Sequence, residues 1–149
     1  YLRKTYQAPI AMHNNDSGMV EKGDMYWNRN PPNILMKLFV GLFFHLRDAD
    51  QFTPDFYIKA GDTLAEYGFD AEVLELPGHS SGSIGFLTPD GNLFCGDLLG
   101  NMNKPQIWIP DDEAAAYNSV ELLKTKNIHT IYPGHGKPFT LNDYAENNN

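Results

Sequence analysis

The sequence has one cysteine, Cys95, so no disulfide can form within the chain and a disulfide framework is excluded. A lone thiol suits a reducing compartment, and the expected location is the cytoplasm. Positive charge is scarce: 11 Lys and Arg stand against 19 Asp and Glu, for a net charge of −8. Surfaces that follow nucleic-acid phosphates need clustered Lys and Arg. No such cluster occurs, so nucleic acid is excluded as an expected partner. Long apolar runs are missing too. The longest, residues 34–46, has 13 residues and contains Lys37 and His45. A membrane span needs about 20 apolar residues, so this run suits a buried or partner-facing helix, and no membrane partner is expected. No signal peptide is visible. The chain opens on Tyr1 rather than Met, and an upstream segment, with any targeting signal it carries, is expected.

What is there fits one globular domain over residues 1–149. Hydrophobic residues make up 42% and charged residues 20%, enough to bury a core and too apolar for disorder. Residues 5–12 (TYQAPIAM) predict a short strand interrupted by Pro9. Asn14, Asn15, Asp16 and Ser17 offer N-caps for a short helix toward Lys22. Residues 23–33, with Gly23 and Pro31-Pro32, predict a loop, and residues 34–47 a helix apolar nearly all round. Residues 25–54, rich in aromatics, are the expected lid or substrate wall. From Asp55 the texture changes to short strands over 56–58, 71–76, 84–88 and 93–95. Pro89-Asp90-Gly91-Asn92 joins the last two as a hairpin. Asp111 and Asp112 can cap a helix to about Lys126, with Ala115, Ala116, Val120 and Leu123 at helical spacing. Residues 128–132 predict a final strand, and the polar tail 145–149 is expected to fray. Short strands followed by single helices imply an α+β layered fold.

Three polar residues share one context. His79 follows the 71–76 strand in Pro77-Gly78-His79-Ser80-Ser81-Gly82-Ser83. Asp97 follows the 93–95 strand in Cys95-Gly96-Asp97. His135 follows the 128–132 strand in Pro133-Gly134-His135-Gly136. Each is expected just past a strand end and each follows a glycine, which lets the backbone turn and leaves room beside the ligand. Two imidazoles and a carboxylate are ligand types that zinc and similar cations use. A carboxylate has two oxygens, so Asp97 can touch two ions. Any one of the three taken alone reads more readily as a surface or capping residue; the repeated pattern carries the metal reading.

These motifs, in this order and with a helix between the second and third, resemble the C-terminal motifs of the metallo-β-lactamase superfamily, as in its glyoxalase II-like hydrolases. Residues 9–139 fit the part of that family downstream of its first metal motif. The resemblance implies the C-terminal part of a four-layer αββα sandwich with a metal site at one edge of its sheets. It implies that His79 ligates the first metal, Asp97 bridges both and His135 ligates the second. Two zinc ions are implied, with iron or manganese as alternatives, and a metal-activated water would attack a small-molecule substrate. The family's leading motif, H-x-H-x-D-H, does not occur here. The chain is therefore expected to be a fragment inactive alone, and either a homodimer or a partner of the missing N-terminal part.

The other candidates carry plainer expectations. His13, His45 and His129 are read as structural or exposed, and Cys95 as core. Ser80, Ser81 and Ser83 read as loop caps or as hydrogen-bond partners of the ligands. Gly78-His79-Ser80-Ser81-Gly82 also satisfies G-x-S-x-G, and Ser80, Asp97 and His135 follow the triad order of an α/β-hydrolase. That mechanism needs strand, turn and then helix, whereas residues 84–88 predict a strand. A further reading is a non-catalytic half-domain that oligomerises through residues 34–46.

Overall fold

A computed structural model describes residues 2–29, 35 and 51–148. The chain falls into two units, Tyr1–Ile58 and Lys59–Asn149. In the first, α1 (Leu2–Tyr6) leads to β1 (Ala11–Met12), α2 (Asn14–Lys22) and β2 (Phe56–Tyr57). β1 and β2 pair in parallel, Ala11 opposite Phe56 and Met12 opposite Tyr57. Asp55 holds this pairing from below: its carboxylate accepts from the Ile10 amide at 2.8 Å and pairs with Arg3.

The strand expected over residues 5–12 is much shorter. Thr5 and Tyr6 finish α1, and only Ala11 and Met12 are strand. Gln7 takes a left-handed φ of 52°, and Pro9 has no amide to give a ladder, so extended pairing begins only beyond them. The cap of α2 is His13, whose Nδ1 accepts from the Asn15 amide at 3.3 Å. The expected helix over 34–47 and most of the expected lid over 25–54 lie outside the described residues.

The second unit contains β3 (Thr63–Leu64), a short 3-10 turn (Ala65–Tyr67), β4 (Phe69–Glu75), β5 (Ile84–Leu87), β6 (Asn92–Asn101), β7 (Gln106–Ile107), α3 (Glu113–Lys124), β8 (Thr130–Gly136) and α4 (Leu141–Asn148). Its six-stranded sheet runs β3-β4-β5-β6-β7 antiparallel, and β8 joins β6 in parallel. The expected hairpin joins β5 to β6, with the Gly91 amide donating to Thr88 O at 2.9 Å. A parallel partner requires a crossover connection, and α3 supplies it. Asp112 caps α3 by accepting from the Ala115 amide at 2.9 Å.

Alternation sorts the two faces of the sheet. Leu93, Cys95 and Ile131 are buried, and join Leu74 and Leu76 beneath Ala116, Val120 and Leu123 of α3 and Tyr144 of α4. Burying each large aliphatic side chain contributes about 1.5–3 kcal/mol. The intervening residues turn the other way, and there Phe69, Phe86, Phe94 and Tyr132 form a ladder of rings 5.1–6.2 Å apart. Phe69, Phe94 and Tyr132 are exposed. Residues 145–148, expected to fray, instead complete α4. Asn148 Nδ2 donates to Pro105 O at 2.9 Å, which pins the end of that helix. Among the described residues no helix is long and apolar enough to cross a membrane.

Candidate metal centre

The three candidate ligands come together, though only one arrives from a loop. His79 lies between β4 and β5 in a segment tied at several points. The Leu76 amide donates to Ser83 O at 2.8 Å, and the Asp111 and Asp112 amides donate to Gly78 O at 2.8 and 3.0 Å. Ser119 Oγ of α3 donates to Pro77 O at 2.7 Å. His79 is thus fastened to the start of α3 as well as to the sheet.

Asp97 and His135 sit inside β6 and β8, not past their ends. The β6–β8 ladder pairs Gly96 with Pro133 and next pairs Gly100 with His135, so residues 97–99 face Gly134 alone. Such a bulge re-aims side chains without ending the strand. It lets Leu98 and Leu99 both bury, at 1% and 0% exposure, while Asp97 turns out toward His135. A Cβ on Gly134 would collide with Asp97 Oδ1, so this close approach requires a glycine.

The geometry centres on Asp97. His79 Nε2 lies 3.8 Å from Oδ2, and His135 Nε2 lies 3.6 Å from Oδ1. Each imidazole therefore faces a different oxygen of one carboxylate. Both gaps are too long for hydrogen bonds. Two ligand atoms on a tetrahedral zinc, each about 2.1 Å from it, stand about 3.4 Å apart, so both gaps are close to the span of a shared cation. The donor chemistry also suits a cation. His79 Nδ1 is 3.0 Å from Ile109 O and 3.3 Å from Trp108 O. Carbonyls only accept, so Nδ1 carries the proton and Nε2 presents its lone pair. Among the described residues each gap has two ligand atoms. Among the described residues no cluster of three or more His, Cys, Asp or Glu side chains is able to hold an ion by itself.

Other candidates take structural places. Burial pushes the Cys95 thiol up to about 11, with the nearby Asp97 charge adding to it, and Cys95 packs in the core. His129 Nδ1 lies 3.0 Å from Asp90 O beside the hairpin. His45 lies outside the described residues. Ser80 is 6% exposed, its amide donates to Ser83 Oγ at 3.0 Å, and the two hydroxyls are 2.8 Å apart. Ser83 leads directly into β5, so the strand–turn–helix context of a nucleophile elbow is not formed. Trp108 and Ile109, whose carbonyls hold His79, escaped the sequence reading. Their backbone role leaves no trace in residue type.

The Metallo-beta-lactamase superfamily profile matches residues 1–135. Hydroxyacylglutathione hydrolase GloC of Haemophilus influenzae is 32% identical over 110 residues, covering 70% of this chain and 52% of that protein. Hydroxyacylglutathione hydrolase 1 of Vibrio vulnificus is 52% identical over 42 residues, covering 28% of this chain and 17% of that protein. The chain spans about half or less of the curated relatives it matches. Among solved structures, TTHA1623 in a di-iron-bound form is 27% identical with a TM-score of 0.66, covering 97% of this chain and 65% of its own. An archaeal metallo-beta-lactamase superfamily protein from Sulfolobus tokodaii shares the fold at a TM-score of 0.69 and 18% identity, over 98% of this chain and 59% of its own. By its motifs, its β6–β8 site and a profile that covers most of its length, the chain belongs to the metallo-β-lactamase superfamily.

Proposed function

We propose that the protein is a metal-dependent thioester hydrolase acting on hydroxyacylglutathione-type substrates, with His79, Asp97 and His135 as part of its metal site. The observation that carries this reading is the facing of Asp97's two oxygens toward Nε2 of His79 and of His135. The hydroxyacylglutathione hydrolases among its relatives support the substrate class. His79 offers a bare Nε2 because its other nitrogen is spent on backbone carbonyls. Asp97 supplies the negative charge that lets two cations sit close together. When bound, zinc, iron or manganese polarises the acyl oxygen and acidifies water.

Two ligand atoms per gap hold a cation weakly, so the 149-residue chain is proposed to be inactive without the H-x-H-x-D-H ligands. The exposed ring ladder of Phe69, Phe94 and Tyr132 supports association with a second copy or with a segment carrying that motif. The buried, unpaired Cys95 supports a cytoplasmic location.

The test joins this chain to the H-x-H-x-D-H segment of the Haemophilus influenzae relative. Turnover of a hydroxyacylglutathione thioester is then measured before and after chelation. His79→Ala and His135→Ala each lose at least about 100-fold, which is the scale of a lost metal-site interaction. Asp97→Ala is the worst of the three, and Ser80→Ala stays near the parent. Activity that survives full metal removal and vanishes in Ser80→Ala would overturn the reading.

A further inference from the structure

We propose that the turn at Trp108 and Ile109 is the positioning device of the site, fixing the tautomer of His79 through its carbonyls and the ring plane of His135 through the Trp108 indole. The inference rests on the metal-hydrolase reading only for why the imidazole lone pairs matter; the positioning itself stands on contacts within the chain.

The contacts to His79 come first. Its Nδ1 is 3.0 Å from Ile109 O and 3.3 Å from Trp108 O. Both acceptors are carbonyls of one turn, converging on one nitrogen. An Nε2–H tautomer would set the Nδ1 lone pair against two carbonyl oxygens, which is repulsive. The turn therefore selects Nδ1–H and leaves Nε2 bare toward Asp97.

The backbone of Ile109 points to the same role. Its φ is 42°, in the left-handed region that a β-branched residue avoids. The Ile109 side chain is 67% exposed, so its own burial does not offset that strain. What holds the conformation is on either side. The Trp108 amide donates to Leu98 O at 3.1 Å, and the Asp111 amide donates to Gly78 O at 2.8 Å. Strain held by its surroundings at a ligand is a mark of function, and here it aims the Ile109 carbonyl.

The indole serves the second histidine. The Trp108 ring lies 5.4 Å from the His135 ring at 31°. Gly100, the register partner of His135, makes this possible: a Cβ there would come within 2.7 Å of the indole. The same ring therefore lies against the Gly100–His135 rung of the β6–β8 ladder.

The experiment uses the 149-residue chain labelled with ¹⁵N-histidine, free of metal, at about pH 8. Long-range ¹H–¹⁵N correlations read each tautomer. His79 is expected as Nδ1–H. Ile109→Pro cannot adopt the positive φ, so His79 should move toward Nε2–H and cobalt affinity should fall at least tenfold. Trp108→Ala keeps both carbonyls; it should leave the His79 tautomer intact and shift the His135 ring protons downfield as the ring current is lost. Wild-type His79 found as Nε2–H, or His135 protons unmoved in Trp108→Ala, overturns the proposal even if Ile109→Pro fails to fold. Cobalt affinity that stays unchanged in Ile109→Pro although His79 moves to Nε2–H supports the positioning and counts against His79 as a metal ligand instead.

Discussion

Asp97 reaches His135 only because residue 134 has no side chain. A methyl group there would collide with Asp97 Oδ1 and come within 3.3 Å of the Gly96 carbonyl carbon. The nearest atom belongs to a side chain with solvent on one side, since Asp97 is 33% exposed. Gly134→Ala should therefore fold, with the carboxylate swung away from His135. Cobalt affinity of the chain is expected to fall about tenfold, equivalent to about 1.4 kcal/mol, while the thermal midpoint moves little. Isothermal titration beside a melting curve measures both. Undiminished affinity would show that Asp97 does not depend on this clearance.

Helix α4 illustrates how local capping and a distant contact combine. The Thr140 amide donates to Asp143 Oδ2 at 2.7 Å, and the Asp143 amide donates back to Thr140 Oγ1 at 3.2 Å. The Thr140 amide bond, and one from the Thr140 hydroxyl to the same Oδ2 at 2.8 Å, favour the ionised carboxylate and hold the Asp143 pKa below its ordinary 3.8. A depressed carboxylate pKa contributes stability that is complete above the unfolded value and is lost as pH falls through the folded one. The first turn of α4 should thus lose amide-exchange protection as pH drops below 3.8. Asp143→Asn should remove that pH dependence. Protection that falls equally in the variant would assign the acid sensitivity elsewhere. Where α3 is concerned, the Asp112 cap is worth about 1 kcal/mol, and Ala116, Val120 and Leu123 bring its buried face down on β6 and β8.

The molecule as a whole turns one face of its larger sheet to helices and presents aromatic rings on the other. Phe94 and Tyr132 stack at 5.1 Å and 21°, with Phe69 edge-on to Phe94 at 6.2 Å. A contiguous exposed aromatic patch favours association, and a closed two-fold dimer is the commonest form. Light scattering of the 149-residue chain is expected to report a dimer at micromolar concentration. Phe94→Thr, which keeps strand propensity and removes the central ring, should shift it toward monomer. A wild-type chain that scatters as a monomer throughout would contradict this expectation.

Sequence alone determined the elements whose signals are local. Asp112 marked the start of α3, Asp90-Gly91 marked the hairpin, and the spacing of Ala116, Val120 and Leu123 marked the buried face, because caps, turns and periodicity act over a few residues. It also singled out His79, Asp97 and His135, since glycine beside a metal-type ligand recurs in all three motifs. Tertiary structure decided the rest. The bulge that carries Asp97 into β6 exists only against β8, the strained turn at Ile109 has its purpose only against His79 thirty residues earlier, and α4 runs to Asn148 through a bond to Pro105. Each depends on atoms far apart along the chain, whose meeting is set by how the sheet closes and not by any neighbouring residue.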